Sequence, residues 1–193
     1  MRRPILRAAC AALLGCTLAA ATPVHAAGSA DEAAVQAAFV YNFARFTEWP
    51  PAALSAKGGP LNICLAGRRE ALAGALESLS GRTVQNHPVR VLNMPANEDL
   101  KSCHVVFLAE ADSVRRGQIL QVLADVPALT VSDSPDFARR GGMIGLVRVG
   151  DKLRFEINRG EAQACGLKLS ASLLNLAVGV LDAPATRSSE SSR

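Results

Sequence analysis

Between residues 61 and 157, short apolar runs of strand length alternate with segments of helical period, and this alternation limits the fold more than any other feature. Residues 61–65, 89–92, 103–108 and 129–131 read as strands, while 68–79 and 113–123 read as helices. The run CHVVFL at 103–108 is almost wholly apolar, as expected of a strand covered on both faces. A short helix at 135–140 is closed by Gly141-Gly142, and residues 143–149 and 153–157 flank Gly150-Asp151 as a hairpin. The predicted fold is therefore α/β: a mainly parallel sheet with helices on both faces and a late antiparallel hairpin.

Two terminal segments lie outside this alternation. Residues 1–26 place Arg2, Arg3 and Arg7 before a run of small apolar residues ending in Val24-His25-Ala26, the pattern that signal peptidase cleaves. Pro23 and His25 interrupt the run before it reaches the roughly 20 apolar residues needed to span a bilayer. Cleavage after Ala26 is expected; the alternative is a lipobox at Leu13-Leu14-Gly15-Cys16, with Cys16 lipidated. Residues 27–181 form the folded domain, and 182–193 are the small, polar residues of a disordered tail. The leader holds three of the 21 Lys/Arg and none of the 17 Asp/Glu, so its loss reduces the net charge from +4 to +1. The basic pairs that remain have no aromatic neighbours on which bases could stack, which argues against nucleic acid as a partner. Export places the chain in the periplasm, where disulfides persist.

Two helices carry the most information about partners. Asp31 caps a predicted helix over residues 31–49, with Val35, Phe39, Phe43 and Phe46 on one face and Pro50-Pro51 as its stop. Five of the eight aromatic residues lie between Phe39 and Trp49, either as a core stripe or as an interface. The segment 160–181 reads as one long helix with Leu169, Leu173, Leu176 and Val180 on one side. Leu167, Leu174, Val178 and Leu181 fall on the other. A helix apolar on two opposed faces needs a second partner, from its own chain or from another.

Chemistry-bearing residues are sparse. Cys64 and Cys103 lie on strands that are neighbours in a 2-1-3 order, which makes them the natural disulfide pair; such a loop stabilises by roughly 4 kcal/mol. Cys165 is then the odd cysteine, expected as a small hydrophobe in the last helix. His87 and His104 have no second ligand at metal spacing, and Ser132 has no plausible histidine partner. No cofactor, metal or catalytic residue is predicted. A small-ligand sensor with its site near Gly67 and Ala109, at the carboxyl edge of the sheet, is the alternative to a protein-binding role.

The segments AAFVYNFARFTEWP, LNICLAG, SCHVVFL, GGMI, LRFEIN and GLKLSASLLNL occur in that order between residues 33 and 178. Together they resemble the YfiR family of periplasmic regulators. The resemblance implies a non-enzymatic α/β protein, typically a homodimer, that binds the periplasmic domain of an inner-membrane (YfiN-like) diguanylate cyclase. It would hold cyclic di-GMP synthesis and biofilm formation low until a YfiB-like, OmpA-like outer-membrane lipoprotein sequesters it. The family's first disulfide falls on Cys64 and Cys103. Its second has no counterpart, because Ala138 and Gly145 stand where its cysteines would be. The partner surface implied by the hairpin and last helix includes Ile144, Glu156, Leu174 and Val178, with Glu156 equally readable as a solvated strand residue.

Overall fold

The structure, a computed structural model, describes residues 25–54 and 58–182, with side chains from Ala30 onward. The leader through Val24, with Cys16, and the tail beyond Asp182 lie outside the described residues.

The apolar runs of the sequence become the middle of a mainly parallel sheet. Strands β2 (Leu61–Ala66), β4 (His87–Asn93), β5 (Val105–Leu108) and β6 (Leu129–Ser132) lie in the order β4-β2-β5-β6. All three pairings among them are parallel. Strand β7 (Ile144–Val149) continues the sheet parallel to β6, and β8 (Lys152–Asn158) returns antiparallel to β7 as the expected hairpin. At the far end, β3 (Thr83–Val84) forms a small hairpin with β4 through Gln85 and Asn86, both with positive φ. That hairpin is absent from the sequence reading because a two-residue strand has no period to detect.

Alternation along β2 and β5 divides the core in two. Leu61, Ile63, Leu65, Val105 and Phe107 face a large cluster shared with helix α1 (His25–Arg45) and helix α2 (Glu70–Glu77). Cys64, Ala66, Val106 and Leu108 face a smaller cluster with Leu100, Phe137 and the Ile119 and Leu123 side of helix α3 (Ser113–Val122) and its end. Helices therefore cover both faces, as the apolar character of the strands requires. Asp112 caps α3, its carboxylate accepting from the N–H groups of Val114 and Arg115. The Cys64–Cys103 disulfide lies in the smaller layer. Cys103 itself closes the 3-10 turn Asp99–Ser102 just before β5, so this strand begins two residues later than expected.

The helix predicted over 31–49 is corrected at both ends. It begins by His25 and ends at Arg45, after which Thr47–Glu48 forms strand β1, paired antiparallel with β9 (Lys168–Leu169). Its buried face is Ala33, Gln36, Ala37, Val40, Phe43 and Ala44, not the aromatic stripe. Small alanines let the helix approach its neighbours closely, so the stripe is rotated outward. Only Phe43 of the stripe is buried; Val35 and Phe46 are exposed, and Phe39 sits between them with its ring 5.7 Å from that of Phe155.

The single helix predicted over 160–181 does not form. The segment is helix α4 (Arg159–Ala164), β9, helix α5 (Ala171–Leu176) and strand β10 (Gly179–Leu181). Gly166 ends the first piece with a φ of +76°, a left-handed conformation that costs other residues about 1 kcal/mol or more. Ser170 caps the second, its hydroxyl accepting from Leu173 N–H, and Ala177 returns to extended backbone. Strand β10 then pairs parallel with β8 and forms the other edge of the sheet. Cys165 lies at the C-terminal end of α4, half-buried, with its thiol donating to the Ala124 carbonyl at 3.3 Å.

Two predictions follow from this arrangement. Because Gly166 is left-handed and a Cβ there meets nothing closer than Pro50 Cγ at 3.8 Å, backbone strain alone decides the outcome of Gly166→Ala. The variant should lose about 1 kcal/mol in urea unfolding, whereas one continuous helix would gain about that much from alanine.

The second concerns His104, which is held neutral by its surroundings. Its Nδ1 accepts from Asn62 N–H at 2.9 Å, and its Nε2 lies 3.0 Å from the Ala53 carbonyl and donates to it. Burial pushes its pKa below 6.5, with a smaller push from His87, against the opposing pull of the Ala53 carbonyl. The unfolded chain thus takes up a proton that the fold refuses. Stability should be fully present at about pH 7.5 and decline as pH falls below about 6.5 and through the lowered folded-state value; His104→Asn should flatten that part of the urea-midpoint profile.

Candidate interaction surface

The residues expected at a partner surface separate into two groups. Ile144 is fully buried, because β7 lies between β6 and β8 and its residue faces the large core. Burial of that position follows from strand order, which the hairpin signal alone does not reveal. Glu156, Leu174 and Val178 are all at the β8–β10 end of the sheet.

That end is built by short-range devices. Asn158, at the end of β8, caps α4 with its side-chain amide, whose oxygen Oδ1 accepts from Glu161 N–H at 3.0 Å. Its amide nitrogen donates to the Ala138 carbonyl at 2.8 Å, tying β8 to the 3-10 turn Phe137–Arg140. Val178 N–H donates to the Phe155 carbonyl at 2.9 Å, placing β10 in register with Gly179 opposite Glu156 and Leu181 opposite Asn158. Val178 and Val180 thereby share the face of the sheet on which Phe155 and Ile157 are buried beneath α1. They lie beyond the cover of that helix and remain exposed, at 50% and 40%, next to Leu176 at 63%. Leu174 is half-buried against the large core and anchors the strip. On the opposite face, Glu156 is half-buried beside Gly179 and paired with Arg139 at 3.6 Å. Arg159 and Asp182 pair at 2.8 Å where β10 ends.

The aromatic helix adds to the same side of the molecule. Val35 and Phe46 are exposed on α1, and Arg148 of β7 reaches Glu32, two turns into that helix, in an ion pair. Sequence reasoning missed Val180 as part of an edge strand, because it placed that residue in a helix; Leu176 does end a helix, the short α5. The signal that could have found it is the pair Gly166 and Ser170, a helix stop followed four residues later by a helix start.

The chemistry-bearing residues do not converge here. Ser132 is fully buried with its hydroxyl donating to the Leu108 carbonyl at 2.7 Å, at the carboxyl end of β6. His104 lies at the opposite end of the parallel strands, before β5, with its ring edge-on to Trp49. Among the described residues, no group of three or more His, Cys, Asp or Glu side chains could hold a metal ion. No described helix is long and apolar enough to cross a membrane.

A mainly parallel α/β protein with an uncovered apolar strip along one edge strand is the class these features define. The chain belongs to the YfiR/HmsC-like family, which it matches over residues 33–178. This is a family of periplasmic regulators of diguanylate cyclase signalling. Among solved structures, the chain is similar to the ABC domain of Streptococcus pneumonia in complex with L-Trp, at 11% identity and a TM-score of 0.43. That match covers 74% of this chain and 60% of the other.

The geometry also bears on the disulfide that the resemblance implies and this chain lacks. A Cβ built on Gly145 would lie 3.7 Å from the Ala138 Cβ, a separation that a disulfide spans. The double variant Ala138→Cys with Gly145→Cys should therefore crosslink on oxidation, seen by non-reducing peptide mapping. It should gain about 2 kcal/mol in unfolding over its own reduced form.

Proposed function

We propose that this protein is an exported repressor that binds the periplasmic domain of an inner-membrane, YfiN-like diguanylate cyclase and holds it in its inactive state. The observation that carries the proposal is the exposed apolar strip of Leu176, Val178 and Val180, which runs from the end of α5 into β10, a strand with no neighbour on its outer side among the described residues. Contiguous exposed apolar residues on an edge strand are the usual mark of a surface that another chain covers. Half-buried Leu174 supports the strip from beneath, and Glu156 with Arg139 forms a polar border on the other face. Ile144 acts indirectly in this reading, by holding β7 and β8 together under the strip.

The energetics are those of a shifted equilibrium. A repressor that prefers the inactive cyclase conformation shifts the population by its difference in affinity for the two states and by no other means. A YfiB-like, OmpA-like lipoprotein that competes for the repressor would relieve the restraint by mass action. In the resting state the repressor is a homodimer, as the family resemblance implies. The leader is cleaved after Ala26, so the working chain begins at Ala27.

Val178→Glu with Val180→Glu should abolish capture of the cyclase by the exported protein and raise cyclic di-GMP to the level of a deletion strain. Both side chains are exposed, so urea stability should change by no more than about 0.5 kcal/mol per site. Retention of cyclase binding by a folded double variant would remove the edge from the mechanism. Failure of the unsubstituted protein to recover any membrane cyclase would remove the mechanism itself.

A further inference from the structure

The sheet changes direction of winding between β2 and β5. From β2 the chain crosses to β4 on one side, then returns to β5 on the other. The loops that leave the carboxyl ends of two such strands diverge, and the crevice between them is the general location of ligand sites in open α/β sheets. Here the loops touch at one point. Gly67 has a φ of +107°, and a Cβ there would stand 2.7 Å from the Ala109 carbonyl carbon, so the position admits only glycine.

A cleft of about 400 Å³ lies on one side of this contact, within the size range of small-molecule sites. Its wall includes buried Ala66, Leu100 and Ile119, and Met94 and Pro95 from the β4 loop add further apolar surface. Polar groups complete it: Arg68, Arg115, Asn97 and Glu110. A second cleft of about 310 Å³ on the same edge is lined by Arg69, Arg116, Glu110 and Asp133.

Charge distinguishes the two clefts. In the second, Arg69 is neutralised by Asp133 at 2.6 Å, and Arg116 donates to the Glu110 carbonyl at 2.8 Å. In the first, two arginines face one carboxylate: Arg115 meets Glu110 through its Nε at 3.2 Å, and Arg68 makes no ion pair among the described residues. The first cleft therefore has a surplus positive charge above an apolar wall. We infer that it binds a small organic anion, its carboxylate or phosphate group held by Arg68 and Arg115 and its apolar body against Met94, Leu100 and Ile119. Guanidinium groups suit such oxyanions because their planar N–H pairs match two oxygens at once.

This site is separate from the β10 edge, and its test needs no cyclase. Calorimetric titration of the exported chain with phenyl phosphate and phenylacetate should give a Kd of about 1 mM or tighter for at least one of them. Inorganic phosphate and benzyl alcohol, each half of the recognised chemistry, should bind at least about tenfold more weakly. The stronger of the two aromatic anions shows whether phosphate or carboxylate is preferred. Arg68→Ala should weaken that anion about tenfold, while Arg90→Ala, an exposed arginine on β4 away from the cleft, should leave it unchanged. Amide shifts on binding should centre on residues 66–68, 94–97 and 109–119. Absence of binding by both aromatic anions overturns the inference. So do equal effects of the two substitutions, or amide shifts centred elsewhere.

Discussion

The strand pair β2–β5 is the constraint from which the rest follows. Both strands are buried on both faces, so apart from half-buried Asn62 every residue in them is apolar, and each face must be covered. One face requires the large layer of α1 and α2, the other the smaller layer around α3. The smaller layer contains less apolar surface, and it is the one that holds the Cys64–Cys103 bond. The same order of strands makes the cysteines adjacent and opens the crevice at the carboxyl ends. His104 lies just before β5 and is fixed there by Asn62 of β2, which makes it part of the structure that aligns the two strands at their other end.

The sequence was legible where residues carry their own structural demand. A nearly unbroken apolar run such as CHVVFL can only be an inner strand, and from the order of such strands the disulfide follows. Gly141-Gly142 closes the turn before β7 for a related reason: a Cβ at Gly142 would fall 2.2 Å from the Phe137 ring, so the position must lack one. Where helical period was the only evidence, the reading failed. Leucines at 167, 169, 173, 174 and 176 fit two faces of one helix, yet they serve a strand and a helix of six residues. Spacing cannot reveal a break made by one left-handed residue and one capping hydroxyl. The aromatic stripe of α1, readable as core or as interface, is divided between burial at Phe43 and exposure at Val35 and Phe46, since the alanines that decide its docking face contribute little to any hydrophobic pattern.

Ile144 and Val178 show the same limit at the level of the site. Both lie in segments that the family resemblance associates with partners, and both are apolar. Strand order alone separates them, placing one between two neighbours and the other beside a strand that has none on its outer side among the described residues. A surface is a property of assembled elements, and no window along the chain contains it.

The two edges of the sheet are treated differently, and the difference bears on function. At the β3–β4 end, the outer strand has only two residues, its turn is Gln85-Asn86, and exposed Arg82 and Thr83 and Pro88 border it. Shortness, charge and proline are the usual means of stopping another strand from adding to an edge. At the β10 end the strand is also short, three residues, but neither charge nor proline is present within Gly179–Leu181, and the nearest charge is Asp182, paired with Arg159. The residues on either side of Gly179 are valines that remain exposed. An exported protein that leaves such an edge open in water risks pairing without control. One edge carrying charge and proline and the other left apolar is the asymmetry the proposed repressor needs, with the strip of Leu176, Val178 and Val180 as the part its partner would cover.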